Sequence, residues 1–305
     1  MILCAGEALI DMLPRETTDG QDAFAPHAGG AVFNTAIALG RLRVPTGFFS
    51  GLSTDLFGVL LEESLAASNV DARVAARSDL PTTLAFVRLV DGHATYAFYD
   101  ENTAGRMLSD DDLPSTTGID ALFFGGISLV VEPCAAIYEA LMLREAAQRV
   151  TMIDPNIRPG FVKDEEGYRA RITRMMAAAD IVKVSDEDLT WLQGPGEIET
   201  RARDLLTTGP SLVLVTRGSL GATAYHKAGE IFVPSERTTV VDTVGAGDTF
   251  NAGFLASLHE QGVLNKPALA ALGDQSLEAA LKLGAQCAAI TVSRAGANPP
   301  TRAEL

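Results

Sequence analysis

Ala121-Leu122-Phe123-Phe124-Gly125, Val150-Thr151-Met152-Ile153-Asp154 and Ile181-Val182-Lys183-Val184-Ser185 are three short apolar runs, and between them Pro133–Arg149 and Gly167–Ala178 carry a helical period. Runs this short and apolar suit strands buried on both faces, and strands alternating with helices build a mostly parallel sheet. The alternation extends in both directions. Ile2–Leu13, Thr46–Gly51 and Leu212–Thr216 read as further strands, and Ala31–Leu42, Ile198–Leu206, Gly247–Glu260 and Gln275–Val292 as helices. The expected class is α/β. No repeat, low-complexity tract or linker divides the 305 residues, so one domain over 1–305 is predicted. One segment breaks the pattern. Thr83–Val90 and His93–Tyr99 are strand-like and joined by Asp91-Gly92, a pair that favours the positive φ of a hairpin turn. A hairpin projecting from an α/β body is placed to cap the ligand end of the sheet.

Composition narrows the partners. A formal charge of −15 with no basic run argues against nucleic acid. Cys4, Cys134 and Cys287 lie far apart without metal spacing and read as buried thiols. His27, His93, His226 and His259 form no i, i+4 pair and no cluster with cysteine. The first residues lack a basic region, and Glu7 and Asp11 interrupt their apolar stretch. Neither a signal peptide nor a membrane span is expected, and the expected location is the cytoplasm.

The stretch that carries chemistry is Val241-Asp242-Thr243-Val244-Gly245-Ala246-Gly247-Asp248-Thr249-Phe250-Asn251-Ala252-Gly253-Phe254. Phe250, Phe254 and Leu258 recur every four residues, so a helix begins within Gly245–Asp248. Small residues there expose unpaired backbone N–H groups at the positive end of the helix dipole, which makes a pocket for a phosphate. Asp248 as a plain first-turn acid would stabilise the helix by roughly 0.3–1 kcal/mol. In a phosphate pocket, however, a carboxylate repels the ligand, unless it takes the proton of an attacking hydroxyl while the amides hold the transferred phosphoryl. G-x-x-x-x-G-K-[ST] is absent, and Phe250 stands where a dinucleotide fingerprint needs a third glycine or alanine. A second cluster, Gly29-Gly30-Ala31-Val32-Phe33-Asn34, brings backbone close to a ligand and offers the Asn34 amide to sugar hydroxyls.

These two segments, in this order, resemble the signatures of the ribokinase-like (PfkB) carbohydrate kinases. The resemblance implies a three-layer sandwich with a mostly parallel central sheet and a small β lid, formed by roughly 12–27 and 83–100. It implies that Asp248 is the catalytic base and that the N–H groups of Gly245, Ala246 and Gly247 form the anion hole. Asp11, Gly29, Gly30, Asn34 and Phe98 would line the sugar pocket with Arg158. Lys183, Ser185, Thr216, Gly218, Gly221, Ala289 and Ala297 would border ATP. Asp242, Val244, Thr291, Arg294 and Gly296 fall where some members bind a monovalent cation such as K⁺. The family's Asn-x-x-Glu, which organises Mg²⁺ and its waters, is replaced here by Ser185-Asp186-Glu187-Asp188, leaving Asp188 or Glu187 as the acid. Members are monomers or homodimers.

Asp154-Pro155-Asn156-Ile157-Arg158-Pro159-Gly160 and Phe98–Leu108 resemble segments of bacterial fructokinases. Asp100 and Glu101 follow the lid aromatics, where relatives acting on 2-keto-3-deoxygluconate place a basic group, so a neutral sugar is favoured. The expectation is phosphoryl transfer from ATP to the 6-hydroxyl of fructose. Arg158 and Arg106 keep the acid sugar open, and ribose or a nucleoside is also open. A non-catalytic sugar-binding protein on the same fold is the alternative from another class, and the intact Asp248 frame argues against it.

Overall fold

The computed structural model describes residues 1–90 and 93–305, the side chains of 88–90 and 93–96 excepted. The Asp91-Gly92 turn therefore lies outside the described residues. The chain runs through β1 (Ile2–Ala5), β2 (Leu9–Glu16), β3 (Asp22–Gly29), α1 (Ala31–Arg41), β4 (Thr46–Phe49), β5 (Gly51–Ser53) and α2 (Leu56–Ala67). There follow β6 (Val70–Asp71), β7 (Ala76–Ser78), β8 (Leu84–Val90), β9 (His93–Tyr99), β10 (Ala121–Gly125), α3 (Cys134–Glu145) and β11 (Val150–Asp154). The last part is α4 (Glu165–Ala178), β12 (Ile181–Ser185), α5 (Asp186–Gln193), α6 (Ile198–Leu206), β13 (Leu212–Thr216), β14 (Ala222–His226), β15 (Gly229–Val233), α7 (Ala246–Glu260), α8 (Lys266–Ala270) and α9 (Asp274–Val292).

The main sheet has the order β15-β14-β13-β12-β11-β10-β1-β4-β6, parallel from β13 to β6 and antiparallel at β14 and β15. Strand alternation divides the core. Ile2, Cys4, Phe123 and Met152 pack under α1, α2, α7 and α9, whereas Leu3, Ala5, Phe124 and Ile153 pack under α3, α4, α5 and α6. The result is a three-layer α/β sandwich. Strand order reverses at β1, where β10 lies on one side and β4 on the other. A crevice beyond the carboxyl ends of such neighbours is where open α/β sheets bind ligands.

The expected opening strand Ile2–Leu13 is two strands. The ladder stops at Ala5, Gly6 donates to Phe49 O at 3.1 Å, and a Cβ on Gly6 would stand 2.5 Å from Val32 Cγ2. The chain turns there, and β2 joins a separate four-stranded sheet of order β3-β2-β8-β9. The polar break at Gly6-Glu7-Ala8 is what separates two apolar runs that read as one. Thr46–Gly51 divides likewise into β4 and β5. In the small sheet Asp11 pairs with Ala85, and Ala85 with Phe98, so Asp11 and Phe98 share a face. Among the described residues no helix is long and apolar enough to cross a membrane.

Candidate active site

A cleft of about 710 Å³ opens beyond β1, β10 and β11, lined by Glu7, Asp11, Asn34, Phe98, Arg158 and residues 243–248 among others. Its floor is the start of α7. This helix is buried from Asp248 to Leu258, with Phe254 wholly inside, so the core holds its N-terminus rigidly. Gly245 is the N-cap at φ 78, a left-handed conformation that costs glycine little, and a Cβ on it would meet Ala297 Cβ at 2.7 Å. The first regular helical bond runs from Thr249 N–H to Gly245 O at 2.9 Å. The N–H groups of Gly245, Gly247 and Asp248 have no partner among the described residues. Ala246, expected to be free, instead donates to Thr243 O at 3.3 Å. The open amides are thus those of 245, 247 and 248, because the turn closing the loop consumes the one between them.

Asp248 is 8% exposed, and its Oδ2 accepts from Asn34 Nδ2 at 2.9 Å. Burial pushes its carboxyl up to about 7; Asp154 and Glu7 push the same way, while Asn34 and Lys183 pull against them. A carboxylate poised near neutrality is suited to taking and returning a proton. Lys183 lies behind the amides. Its Nζ stands 3.3 Å from where a Cβ on Gly247 would be and donates to Asp154 Oδ2 at 2.8 Å. Burial draws its pKa down, but Asp154 and then Asp188 outweigh that and hold the ammonium charged. Asn251 Nδ2 also donates to Asp154 Oδ2, at 2.8 Å.

Asp11 is half-buried and its carboxyl is raised by burial to about 6, with no hydrogen bond from the described residues. Gly29 makes room for it, since a Cβ there would come within 2.3 Å of Asp11 Oδ2. Gly30 lines the cleft, and Gly29 stands just behind. Phe98 meets Phe161 edge-on at 4.6 Å between ring centroids, across the mouth. Arg158 is exposed and, among the described residues, bonded only to the carbonyls of Ile157 (3.1 Å) and Asn156 (3.4 Å) in its own loop.

Asp100, Glu101 and Arg106, expected to set the charge around the sugar, do not line the cleft. Asp100 forms an ion pair with Arg106 at 3.1 Å, and Arg106 also binds Glu132 O, which draws both away. The acids that do face the cleft are Glu7, Asp11 and Asp248, opposed by Arg158.

None of the expected nucleotide residues lines the cleft itself. Ser185 pairs with Thr216 across β12 and β13, making one rim at the carboxyl ends. After it, Gly218 and Gly221 take φ 50 and 116 in a turn closed from Arg217 N–H to Gly221 O at 2.8 Å. Ala297 packs on Gly245, and Ala289 is half-buried on α9. Asp188 Oδ1 accepts from Ile157 N–H at 2.9 Å and Oδ2 from Ser185 N–H at 3.0 Å, in a capping box that starts α5; Glu187 is exposed. No group of three His, Cys, Asp or Glu able to hold a metal occurs among the described residues. The Asp242 carboxylate ties Val244 N–H at 3.0 Å to Gly296 N–H at 2.9 Å, which draws the 242–244 and 291–296 loops together. Thr291 is buried beneath them and Arg294 is paired with Glu304.

A model of the pfkB family of carbohydrate kinases matches residues 1–304. The chain belongs to that family. A fructokinase from Rhizobium leguminosarum bv. trifolii is 58% identical over 278 residues, 91% of this chain and 85% of the relative. A crystal structure of a fructokinase with bound ATP from Xylella fastidiosa has a TM-score of 0.89 at 30% identity, covering 97% of this chain and 93% of that one. A fructokinase from Vibrio cholerae O395, in its fructose, ADP and calcium ion bound form, has a TM-score of 0.83 at 25% identity, over 97% and 94% of the two chains. As a pfkB kinase the chain uses ATP. Within this pfkB fold, Glu7, Asp154 and Asn251 are buried polar residues of the site region that the motifs did not single out. Glu7 had a visible signal, a carboxylate inside an apolar run. Asp154 and Asn251 gain their meaning from contacts between distant segments, with each other across 97 residues and, for Asp154, with Lys183.

Proposed function

We propose that this chain is an ATP-dependent fructokinase that converts fructose to fructose 6-phosphate. The observation carrying the proposal is a buried carboxylate, Asp248, on a helix whose amides at 245, 247 and 248 are unpaired among the described residues, at a cleft of about 710 Å³. Asp248 takes the proton of the 6-hydroxyl as its oxygen attacks the γ-phosphorus. The bond from that phosphorus to the β–γ bridging oxygen breaks, and ADP leaves with the electron pair. The amides of Gly245, Gly247 and Asp248 hold the phosphoryl oxygens, backed by the Lys183 ammonium. Asp11 and Asn34 orient the sugar with Gly29, Gly30 and Phe98, and the sheet of 12–27 and 83–100 serves as a lid on the single 1–305 domain. Three acids against one arginine at the lining favour a neutral sugar over a sugar acid. The identity to the Rhizobium fructokinase supports the choice of fructose.

Thr216, Gly218, Gly221, Ser185, Ala289 and Ala297 border the nucleotide. Mg²⁺ would neutralise the triphosphate. The donors present suit an ion held on the phosphates, with Glu187 or Asp188 reaching it through water, because both Asp188 oxygens already accept backbone N–H groups. The joined loops of Asp242, Val244, Thr291, Arg294 and Gly296 would offer backbone oxygens to K⁺. The enzyme would work in the cytoplasm, as a monomer or homodimer.

A panel of fructose, ribose, 2-keto-3-deoxygluconate and nucleosides, read by ADP release with and without Mg²⁺ and K⁺, tests this. Turnover of fructose no higher than the panel background would defeat it. Asp11→Ala should raise the KM for sugar by about tenfold or more, as expected when a hydrogen-bonding partner of the ligand is lost, and leave that for ATP alone. An effect on ATP with none on sugar would misplace the residue. Because the base must be charged, kcat/KM for the sugar should fall as pH drops through about 7. A flat profile down to pH 5 would speak against Asp248 as the base.

A further inference from the structure

Glu7 is a carboxylate only 8% exposed, and phosphoryl transfer as described above does not use it. It sits in the break between β1 and β2. Its Oε1 accepts from Ala31 N–H at 2.9 Å and its Oε2 from Ser128 N–H at 3.3 Å. Ala31 opens α1, whose N-cap Gly30 supplies no side-chain bond, so Glu7 caps this helix from a distant part of the chain. Ser128 lies in the turn after β10. Gly126, at φ 70, enters that turn, and a Cβ there would stand 2.0 Å from Glu7 Oε1. Two separate backbone turns are shaped around one carboxylate.

The capped turn of α1 carries the contacts that fix Asp248. Asn34 donates to its carboxylate at 2.9 Å, and the single Thr35 hydroxyl proton is shared between the Asp248 carbonyl at 3.2 Å and Ala31 O at 3.0 Å. We propose that Glu7 is a positioning residue for the phosphoryl transfer: it clamps the first turn of α1 against the 126–128 turn, and so sets Asn34 and, through Asn34, the carboxylate of Asp248. This deepens the kinase reading and rests on it.

The test is a double-mutant cycle between Glu7→Gln and Asn34→Ala, with kcat and both KM values measured. Glutamine keeps the size but presents an NH₂ to one of the two N–H donors. Glu7→Gln should lower kcat by roughly 10–100-fold, the cost of misplacing a catalytic group by a fraction of a residue's length, with KM for ATP unchanged. Adding it to Asn34→Ala should cost no more than the larger single loss, since both act on one contact. Fully additive losses, or a Glu7→Gln enzyme with unchanged kcat, would overturn the proposal. Should Glu7→Gln fail to fold, Glu7→Asp is the second variant. Aspartate keeps the charge but is one methylene too short to reach both the Ala31 and the Ser128 N–H groups. It should show the same loss of kcat and the same non-additivity with Asn34→Ala, and an unchanged kcat would equally overturn the proposal. Each value is a ratio to the wild-type chain on the sugar it turns over. A wild type inactive on every sugar sinks the kinase reading, whereas additive losses in an active one sink only the role of Glu7.

Discussion

Asp248→Asn should reduce turnover by at least 10²–10⁴-fold, the range for losing a general base, while the chain stays folded and ATP binding stays near normal. The variant keeps the contact that locates the residue, because the asparagine oxygen still accepts from Asn34 Nδ2, now 2.9 Å from the carboxylate. The same change should make the protein more stable at neutral pH. The carboxyl titrates near its ordinary 3.8 when unfolded and at about 7 when folded. Below pH 4 both states are protonated and the residue costs nothing. Between pH 4 and 7 the unfolded chain ionises and the folded chain does not, so stability falls as pH rises; above 7 the penalty is constant. Asparagine removes it. The Tm of Asp248→Asn should therefore exceed that of wild type at pH 8, and the two should converge towards pH 4. A variant with lowered Tm at pH 8 would mean that the carboxylate contributes more as a helix-terminal charge than burial costs it. Near-wild-type turnover would refute the base assignment itself.

The proposed base and amides are legible in sequence because a phosphate cradle on a helix end would need glycines, small residues and an acid next to one another. The strands from Ala121 to Thr216 were legible for a similar local reason, as each is buried on both faces and bounded by polar turns. What escaped was set by contacts between distant segments. The break at Gly6-Glu7-Ala8 has only Glu7 to mark it, because apolar residues stand on both sides, Ile2–Ala5 before and Leu9-Ile10 after, and only tertiary packing assigns them to different sheets. Asp100 and Glu101 were misplaced because residue order puts them beside the lid aromatics, whereas the ion pair with Arg106 turns Asp100 aside. The Ala246 amide is closed by a turn back on Thr243, which composition cannot show.

Lys183→Met should both unfold the protein more easily and slow it, and the two effects can be separated. The ammonium is 4% exposed and the Asp154 it meets at 2.8 Å is 2% exposed. Removing it strands a buried carboxylate held, among the described residues, by Asn251 Nδ2 at 2.8 Å and Asn156 N–H at 3.2 Å, a loss of about 3–5 kcal/mol for a broken buried pair. Asp154→Asn added to Lys183→Met removes the stranded charge, so most of the lost stability should return, because eliminating a buried pair costs far less than halving it. Turnover should not return. Lys183 Nζ lies beside Gly247, under the amides that would receive the phosphoryl, and the negative charge that would develop there loses a buried cation close behind it. The double variant is expected to keep a deficit of roughly 10²-fold in kcat, of the order measured when one stabilising group of such a hole is deleted. Thermal melts and kcat on the same samples decide it. If the double variant regained activity in step with stability, Lys183 would be a buried counter-ion for Asp154 and the phosphoryl would be held by the backbone amides alone.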